Sequence, residues 1–237
     1  MKKIIDIKSI RKRNLLIAAF VIMSFFLIYS YLFEDVRDAK TLGLKAAKAL
    51  ENTDSYRFDI SSNLSMFNEE LQIINVEGEV DSIKNKMRLS LRSQDRSVEA
   101  IVLGDRTYAR ETDGEWQVRT INDVAIWKDK LGEQRMILKS AANSTMYREN
   151  GMWLLEIVPE KADILEQMRD AGLDDSKIEL KRYVIRYMIE PDTYYIRKAE
   201  TIADIEMNFR GMQTSMKLMN VIHFSGFNEK MNIEAPV

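Results

Sequence analysis

The stretches YYIRKAETIADIEMNF (residues 194–209) and TSMKLMNVIHFSGF (214–227) decide the fold of this chain. In the first stretch, Ile205, Met207 and Phe209 recur with a period of two, which is the spacing of residues on one face of a β-strand. Only the four residues RGMQ (210–213) join the two stretches. We therefore expect them to pair as an antiparallel hairpin.

The second of these strands is apolar on both faces over part of its length. Thr214, Met216 and Leu218 share one face, whereas Met219 and Val221 share the other. A strand with a single buried face normally alternates cleanly between apolar and polar residues. The mixed pattern indicates either that the sheet partly lines a space or that the strand is bulged near Met219.

Short alternating strands also precede this pair, and short polar turns separate them. They are SYRFDISSNLSM (55–66), LQIINVEGEV (71–80), MRLSLRS (87–93), VEAIVLG (98–104), RTYAR (106–110), WQVRT (116–120), YRENGMWLLEIV (147–158) and IELKRYVIRYMIE (178–190). This arrangement is typical of an antiparallel meander. We expect Gly114 to take a positive φ in the turn TDGE (112–115), and Asn150-Gly151 to form a hairpin turn.

Three segments carry apolar residues at helical spacing instead: residues 35–52, residues 121–142 and PEKADILEQMRDAG (159–172). In the last segment, Pro159 suits the first turn of a helix and Gly172 suits its C-terminal stop. A large antiparallel sheet with a few inserted helices is an α+β domain. About 200 residues are enough for such a domain to bury a sizeable core.

The segment NLLIAAFVIMSFFLIYSYLF (14–33) predicts a transmembrane helix. It has no charge from residue 15 to residue 33, and a helix of ~19 residues spans ~29 Å, close to the thickness of the hydrocarbon core. Residues 1–13 carry six Lys and Arg residues against one acid, Asp6. By the positive-inside rule they form a cytoplasmic basic tail. Residues 34–237 are then an extracytoplasmic domain of a single-pass cell-membrane protein.

A cleaved signal peptide is the alternative for this segment. The apolar region of a signal peptide usually has about 7–15 residues and precedes a small-x-small cleavage site, but EDVRDAK (34–40) offers no such site. A buried core helix is a further alternative, which the preceding basic cluster and the apolar residues on all sides of the helix disfavour. The chain has no cysteine, so it lacks the lipid-modified residue of a lipoprotein.

Residue types that form common catalytic and metal sites are scarce in this sequence. The single histidine, His223, and the absence of cysteine exclude a thiol nucleophile and a His/Cys metal site. No nucleophile elbow, zinc-protease, P-loop or dinucleotide motif occurs. We predict no catalytic residue, no cofactor and no metal. The net charge of -2 becomes more negative without the basic tail, which argues against nucleic acid as a partner.

The 14 methionines of the chain give the most specific hint of function, because several lie in the last strands. Methionine is flexible and adapts to varied apolar partners. These residues either fill the core or form the wall of a cavity for an acyl or isoprenoid chain, between a curved sheet and covering helices. In a cavity, four strand residues would face the helices and two helical residues would cover them. The candidates are Met207, Phe209, Met216 and Leu218 on the strands, with Trp127 and Leu165 on the helices.

Four motifs in the same order resemble the LolA/LolB-type lipoprotein localisation factors and the related LppX/LprG-type lipid-binding lipoproteins. They are SYRF (55–58), TYARETDGEW (107–116), IEPDTYYIRK (189–198) and the ending from FSGFN (224–228) to IEAP (233–236). The resemblance spans residues 35–237. It implies an open, strongly curved antiparallel half-barrel whose concave face is covered by helices, with a lipid-sized cavity between them. The chain departs from this family in having a membrane helix in place of the lipobox cysteine.

This resemblance implies a membrane-anchored, non-catalytic protein that binds or carries a lipid, an acyl chain or another hydrophobic ligand. The expected partners are the lipid bilayer and a lipid or lipoprotein ligand. The alternative function is a sensor or interaction ectodomain that binds another envelope protein without a small ligand. No residue of the carriers' functional set aligns with this sequence, so none is transferred to it.

Overall fold

The structure is a computed structural model that describes residues 23, 36–67, 69–93, 96–119, 129–140, 143–170, 178–209 and 212–236. Residues 1–37 and residues 38–237 form two compact units. Within the described residues, no helix has the length and apolar character needed to cross a bilayer. The predicted tail 1–13 and, apart from Met23, the predicted transmembrane helix 14–33 lie outside those residues.

The helices and strands whose bounds the structure describes lie in the unit 38–237. The helices are α1 (Ala39–Glu51), α2 (Lys130–Ser140) and α3 (Lys161–Asp170). The strands are β1 (Ser55–Met66), β2 (Glu69–Asp81), β3 (Lys86–Ser93), β4 (Arg96–Leu103), β5 (Arg106–Glu111), β6 (Gln117–Arg119), β7 (Ser144–Glu149), β8 (Met152–Ile157), β9 (Ile178–Ile189), β10 (Ile196–Phe209) and β11 (Met212–Ser225).

These strands form one open antiparallel sheet of 11 strands in the order β6-β5-β4-β3-β2-β1-β11-β10-β9-β8-β7. Two meanders, β1 to β6 and β7 to β11, meet where β1 pairs with β11, with Phe58 opposite Phe224. The expected β10–β11 hairpin is present, with Ala203 opposite Leu218. The predicted α+β class with a large, curved antiparallel sheet is therefore confirmed.

All three helices pack on the same face of this sheet, which we call the inner face. A Cβ at Gly43 of α1 would lie 3.7 Å from Leu155 of β8. The Tyr187 hydroxyl of β9 donates a 2.9 Å hydrogen bond to Gln134 Oε1 of α2, and both side chains are buried. Leu155 and Tyr187 oppose each other across β8 and β9, so they share a face. Ile164 of α3 packs on that same face.

Helix α1 begins four residues later than the sequence pattern predicts, because an acidic side chain caps it. Asp38 has extended backbone dihedrals, and its carboxylate accepts a 2.7 Å hydrogen bond from the Thr41 amide. This bond satisfies one of the amides that lack a helical partner in the first turn. Buried residues recur at helical spacing behind the cap, at Leu42, Gly43, Ala46, Ala47 and Leu50, and fix the side of α1 that faces the sheet.

The turn expectations are confirmed at one site and wrong at another. Asn150 and Gly151 have φ values of 51° and 79°, the left-handed pair that a two-residue hairpin turn requires. In the turn at 112–115, Asp113 has the positive φ, 59°, and Gly114 does not. The Gly114 amide donates a 2.9 Å bond to the Glu111 carbonyl, which closes the turn with Asp113 in the left-handed position. Aspartate tolerates that conformation better than most residues.

Of the two explanations for the mixed pattern of β11, the bulge near Met219 is wrong, because β11 keeps an unbroken register with both of its neighbours. Bulges do occur in other strands, where Ile73 of β2 and Lys181 of β9 have no partner in the strand pairing. Instead, Met219 continues an apolar strip on the outer face, opposite Ile202, which in turn opposes Val184. Ile202 and Val184 are 7% and 5% exposed. This strip explains why β11 is apolar on both sides.

The C-terminal segment packs on the outer face of β4 and β5. Met231 and Ile233 form a buried cluster with Ile101, against which Leu103, Tyr108 and Trp116 pack. Lys86 donates a 3.0 Å hydrogen bond to the Ile233 carbonyl and fixes the segment at its end. The helices therefore pack on the inner face, where their cited contacts are to β8, β9 and β10, and the C-terminal segment packs on the outer face of β4 and β5.

Candidate functional site

Burial of the inner face changes along the sheet. In β1, Tyr56, Phe58 and Ile60 are 2–3% exposed, whereas Leu64 and Met66, further along the same face, are only half-buried. We call the end of the sheet near Tyr56 the closed end and the end near Met66 the open end. The core of the domain is therefore complete at the closed end and incomplete at the open end.

Strand β11, which pairs with β1, shows the same gradient as far as Met216, and Thr214 beyond it is 7% exposed. In β11, Phe224 and Ile222 are 2% and 6% exposed, whereas Leu218 and Met216 are half-buried. The register sets Met216 between Met66 of β1 and Ile205 of β10. Six half-buried apolar side chains thus share the inner face on three adjacent strands. We call them the open-end apolar surface: Leu64, Met66, Ile205, Met207, Met216 and Leu218.

Helix α3 covers one side of this surface. Ile164 of α3 is buried together with Leu180 of β9 and Ala203 of β10. Around this cluster pack four partly buried side chains: Leu165, Tyr183, Ile205 and Leu218. Helix and sheet therefore enclose the surface from the β9 side, and the amphipathic spacing of residues 161–170 is what directs Ile164 and Leu165 toward the strands.

Three of the six predicted cavity residues lie in the open-end apolar surface, and a fourth lies against it. Met207, Met216 and Leu218 share the inner face, and Leu165 packs beside Leu218 in one cluster. The structure does not describe Trp127 or the side chain of Phe209, so their place at the site stays a prediction. The strand register shows only which residues share a face of the sheet. A ligand contact of any of the six residues is therefore still a prediction.

Five further residues of this region are not among the residues that the sequence predicts for the site. Leu64 and Met66 carried the right signal, a period of two in β1, but nothing in the sequence shows that β1 pairs with β11, about 150 residues away. The period of two places Ile205 on the same face as Met207, but it does not show that Ile205 lies at the site. Leu180 and Tyr183 stand on opposite sides of the bulge at Lys181, which breaks their alternation along β9 and hides their common face.

Three charged groups on the outer face of the open end pair with one another. Lys181 Nζ lies 2.8 Å from Glu179 and 3.2 Å from Glu206, and these hydrogen bonds raise the pKa of Lys181. Glu206 opposes Ser215 in the hairpin, so it points away from the open-end apolar surface. On the inner side, burial raises the pKa of Tyr183 and keeps its hydroxyl neutral. No charged side chain belongs to the open-end apolar surface itself, and Glu69, which opposes Met66, stays exposed at its edge.

The clefts at the open end and near the C-terminus differ from the predicted cavity. One, of about 590 Å³, is lined by Met66, Ile205 and Met216 of the open-end apolar surface and also by four charged residues: Lys181, Asp204, Glu206 and Lys217. Another, of about 470 Å³, lies beside Ile101, Trp116 and Pro236 under the C-terminal segment. In the part of the chain that the structure describes, no group of three acidic or histidine side chains could hold a metal ion.

Neither a protein-family model nor a curated protein sequence matches the chain. Among solved structures it is similar to LprF from Mycobacterium bovis, with a TM-score of 0.51 and 14% identity, over 84% of this chain and 96% of LprF. A LolA superfamily protein from Nitrosomonas europaea matches with a TM-score of 0.30 and 9% identity, over 83% of this chain and 96% of that protein. The similarity to LprF confirms the predicted lipoprotein-type fold, and at this identity it establishes the fold alone.

Proposed function

We propose that residues 34–237 bind the apolar chains of a lipid, without catalysis, on the open-end apolar surface beside α3. The observation that supports this function is the burial gradient: an apolar face that is closed at one end of the sheet and half exposed at the other, with the charge of Glu69 exposed at its edge. Covering such a surface stabilises the domain by roughly 25 cal/mol for each Å² of apolar area removed from water. A lipid chain is an occupant of matching chemistry.

The size of the ligand follows from the cost of binding. Each buried methylene group contributes ~0.8 kcal/mol, so ten of them give roughly 8 kcal/mol. Association costs about 4–15 kcal/mol in lost translational and rotational freedom. A short fatty acid would therefore barely offset the cost of its own association. We expect a long-chain or two-chain lipid, or the acyl chains of a lipoprotein, to be the ligand.

The proposal includes the cellular location that the sequence predicts. Residues 14–33 would anchor the chain in the cytoplasmic membrane, and the basic residues before them would keep the N-terminus in the cytoplasm. The domain would then work within reach of the lipids that it binds. A tethered domain cannot cross the envelope freely, so it would receive or present its ligand at the membrane surface.

Native mass spectrometry can test lipid binding directly. Residues 38–237, exported behind a cleavable leader and purified without detergent, should carry one lipid per chain, and extraction with organic solvent should remove its mass. A protein that emerges ligand-free, and that takes up no lipid from added vesicles, would contradict the proposal. If such a protein cross-linked instead to one envelope protein in membranes, the interaction ectodomain would be the better description.

A further inference from the structure

The hairpin of β1 and β2 holds three large apolar side chains in solvent, one in its turn and two in β2. Phe67 is 71% exposed, and Leu71 and Ile73 are each 42% exposed. They lie within seven residues of one another, and we call them the lip. Single exposed apolar residues are common on protein surfaces, whereas a cluster of them commonly marks a surface for binding.

The backbone at Phe67 is unfavourable for its side chain. Its φ is 54°, in the left-handed region that glycine and asparagine occupy readily and bulky residues rarely do. The ring gives the domain little burial in return, because most of it remains in water. A strained, exposed aromatic residue that does not serve the core of its own domain indicates a contact outside that domain.

The lip adjoins the open-end apolar surface. Leu71 opposes Leu64 across the hairpin, and Leu64 is a member of that surface. Phe67 directly follows Met66, which pairs with Met216. Apolar side chains thus continue from the inner face onto the exposed tip of the hairpin. A lipid chain that moved along this path would avoid full exposure to water.

We propose that the lip inserts into the surface of a lipid bilayer and is the route by which lipid enters and leaves the inner face. This inference rests on the proposed lipid binding. The sequence supplies a reason for a bilayer as the partner, because the uncharged run ends at residue 33, and the five residues 34–38 reach at most ~18 Å before α1 begins.

The charges of the hairpin indicate which bilayer the lip would favour. Glu69 and Glu70 are exposed next to the lip, and Asn63 holds one carboxylate through a 3.0 Å hydrogen bond to Glu70. These acids would be repelled by an anionic membrane surface. We therefore expect the lip to insert by its apolar side chains into zwitterionic lipid, with weaker binding as anionic lipid is added.

A labelling experiment on the full chain tests this contact, because the protein has no cysteine and a single introduced thiol can be labelled uniquely. Phe67→Cys would carry an environment-sensitive dye at the lip. Ile83→Cys is the matched control, since Ile83 is 72% exposed in the β2–β3 turn at the closed end, where the Ser82 amide bonds to the Asp54 carbonyl. With zwitterionic vesicles, brominated acyl chains should quench the dye at position 67 only. Absence of quenching at 67, or equal quenching at both sites, would overturn the proposal.

Substitution at the same two positions tests the route. Phe67→Asn should keep the wild-type unfolding temperature, since asparagine suits the left-handed backbone. The rate of lipid transfer from labelled vesicles should fall on the order of tenfold or more, because the variant loses the free energy of inserting one aromatic side chain into the bilayer. Ile83→Asn should transfer at the wild-type rate. A wild-type rate in Phe67→Asn would refute the route. A protein that binds no lipid would instead refute the proposed function, and quenching at position 67 would still report membrane contact.

Discussion

Gly78→Ala should destabilise the domain by about 2–3 kcal/mol, the upper part of the usual range for overpacking a core. Gly78 lies on the inner face of β2, opposite Phe58 of β1. A Cβ at this position would sit 2.3 Å from Cζ of the Phe58 ring, far inside the ~3.5–4.0 Å of an ordinary carbon contact. The ring is 3% exposed and packs beside Tyr56, so it has little room to move.

Urea unfolding of residues 38–237 measures this loss, and two further variants separate its causes. Gly104→Ala meets no atom within 4 Å but has a φ of 64°, so it should cost only about 1 kcal/mol, from its backbone. Adding Phe58→Leu to Gly78→Ala should recover part of the loss, because the smaller side chain leaves room for the methyl group. If Gly78→Ala unfolded like the wild type, the ring would not cover the glycine as described.

Met216→Trp should abolish most lipid uptake while lowering the free energy of unfolding by less than about 1 kcal/mol. Met216 lies in the open-end apolar surface between Met66 and Ile205 and is half-buried. An indole would fill the space that a lipid chain is proposed to occupy, and it would replace one apolar contact with another. If this part of the inner face were closed core, the larger side chain would overpack it and cost roughly 1–3 kcal/mol.

Lys217→Trp provides the matched control, because its side chain is exposed on the outer face, one residue along the same strand. It adds the same indole and should change neither uptake nor stability. Lipid content and the unfolding midpoint are to be measured on both variants. Normal uptake together with normal stability in Met216→Trp would show that Met216 does not face the ligand.

Local patterns in the sequence are sufficient to predict the strands of the sheet and the hairpins that join them. The alternation of residues 194–227 predicted the β10–β11 pairing, and Asn150-Gly151 predicted the turn between β7 and β8. Both signals lie within a few residues of the structure that they determine. The pairing of β1 with β11 has no such signal, because it joins the two ends of the domain and depends on how the whole sheet closes.

The errors in the predicted details have the same origin in non-local packing. Met219 suggested a bulge because its outer-face neighbours, Ile202 and Val184, lie on strands that are adjacent only in space. The preference of glycine for the left-handed conformation predicts Gly114 in that position, yet the hydrogen bond to Glu111 places Asp113 in it. For the candidate site, the sequence pointed to the right strands, but the burial gradient from Tyr56 to Met66 emerges only when the strands are aligned.

Photo-cross-linking with a long-chain lipid that carries a diazirine near the end of its acyl chain tests most directly whether the open-end apolar surface is the binding site. Because side chains alternate between the faces of a strand, cross-links should fall on Leu64 and Met66, and on Met216 and Leu218, and should skip Ser65 and Lys217 between them. Fragmentation of the labelled peptides resolves these positions. Cross-links on Ser65 and Lys217, or none on these strands, would contradict the account.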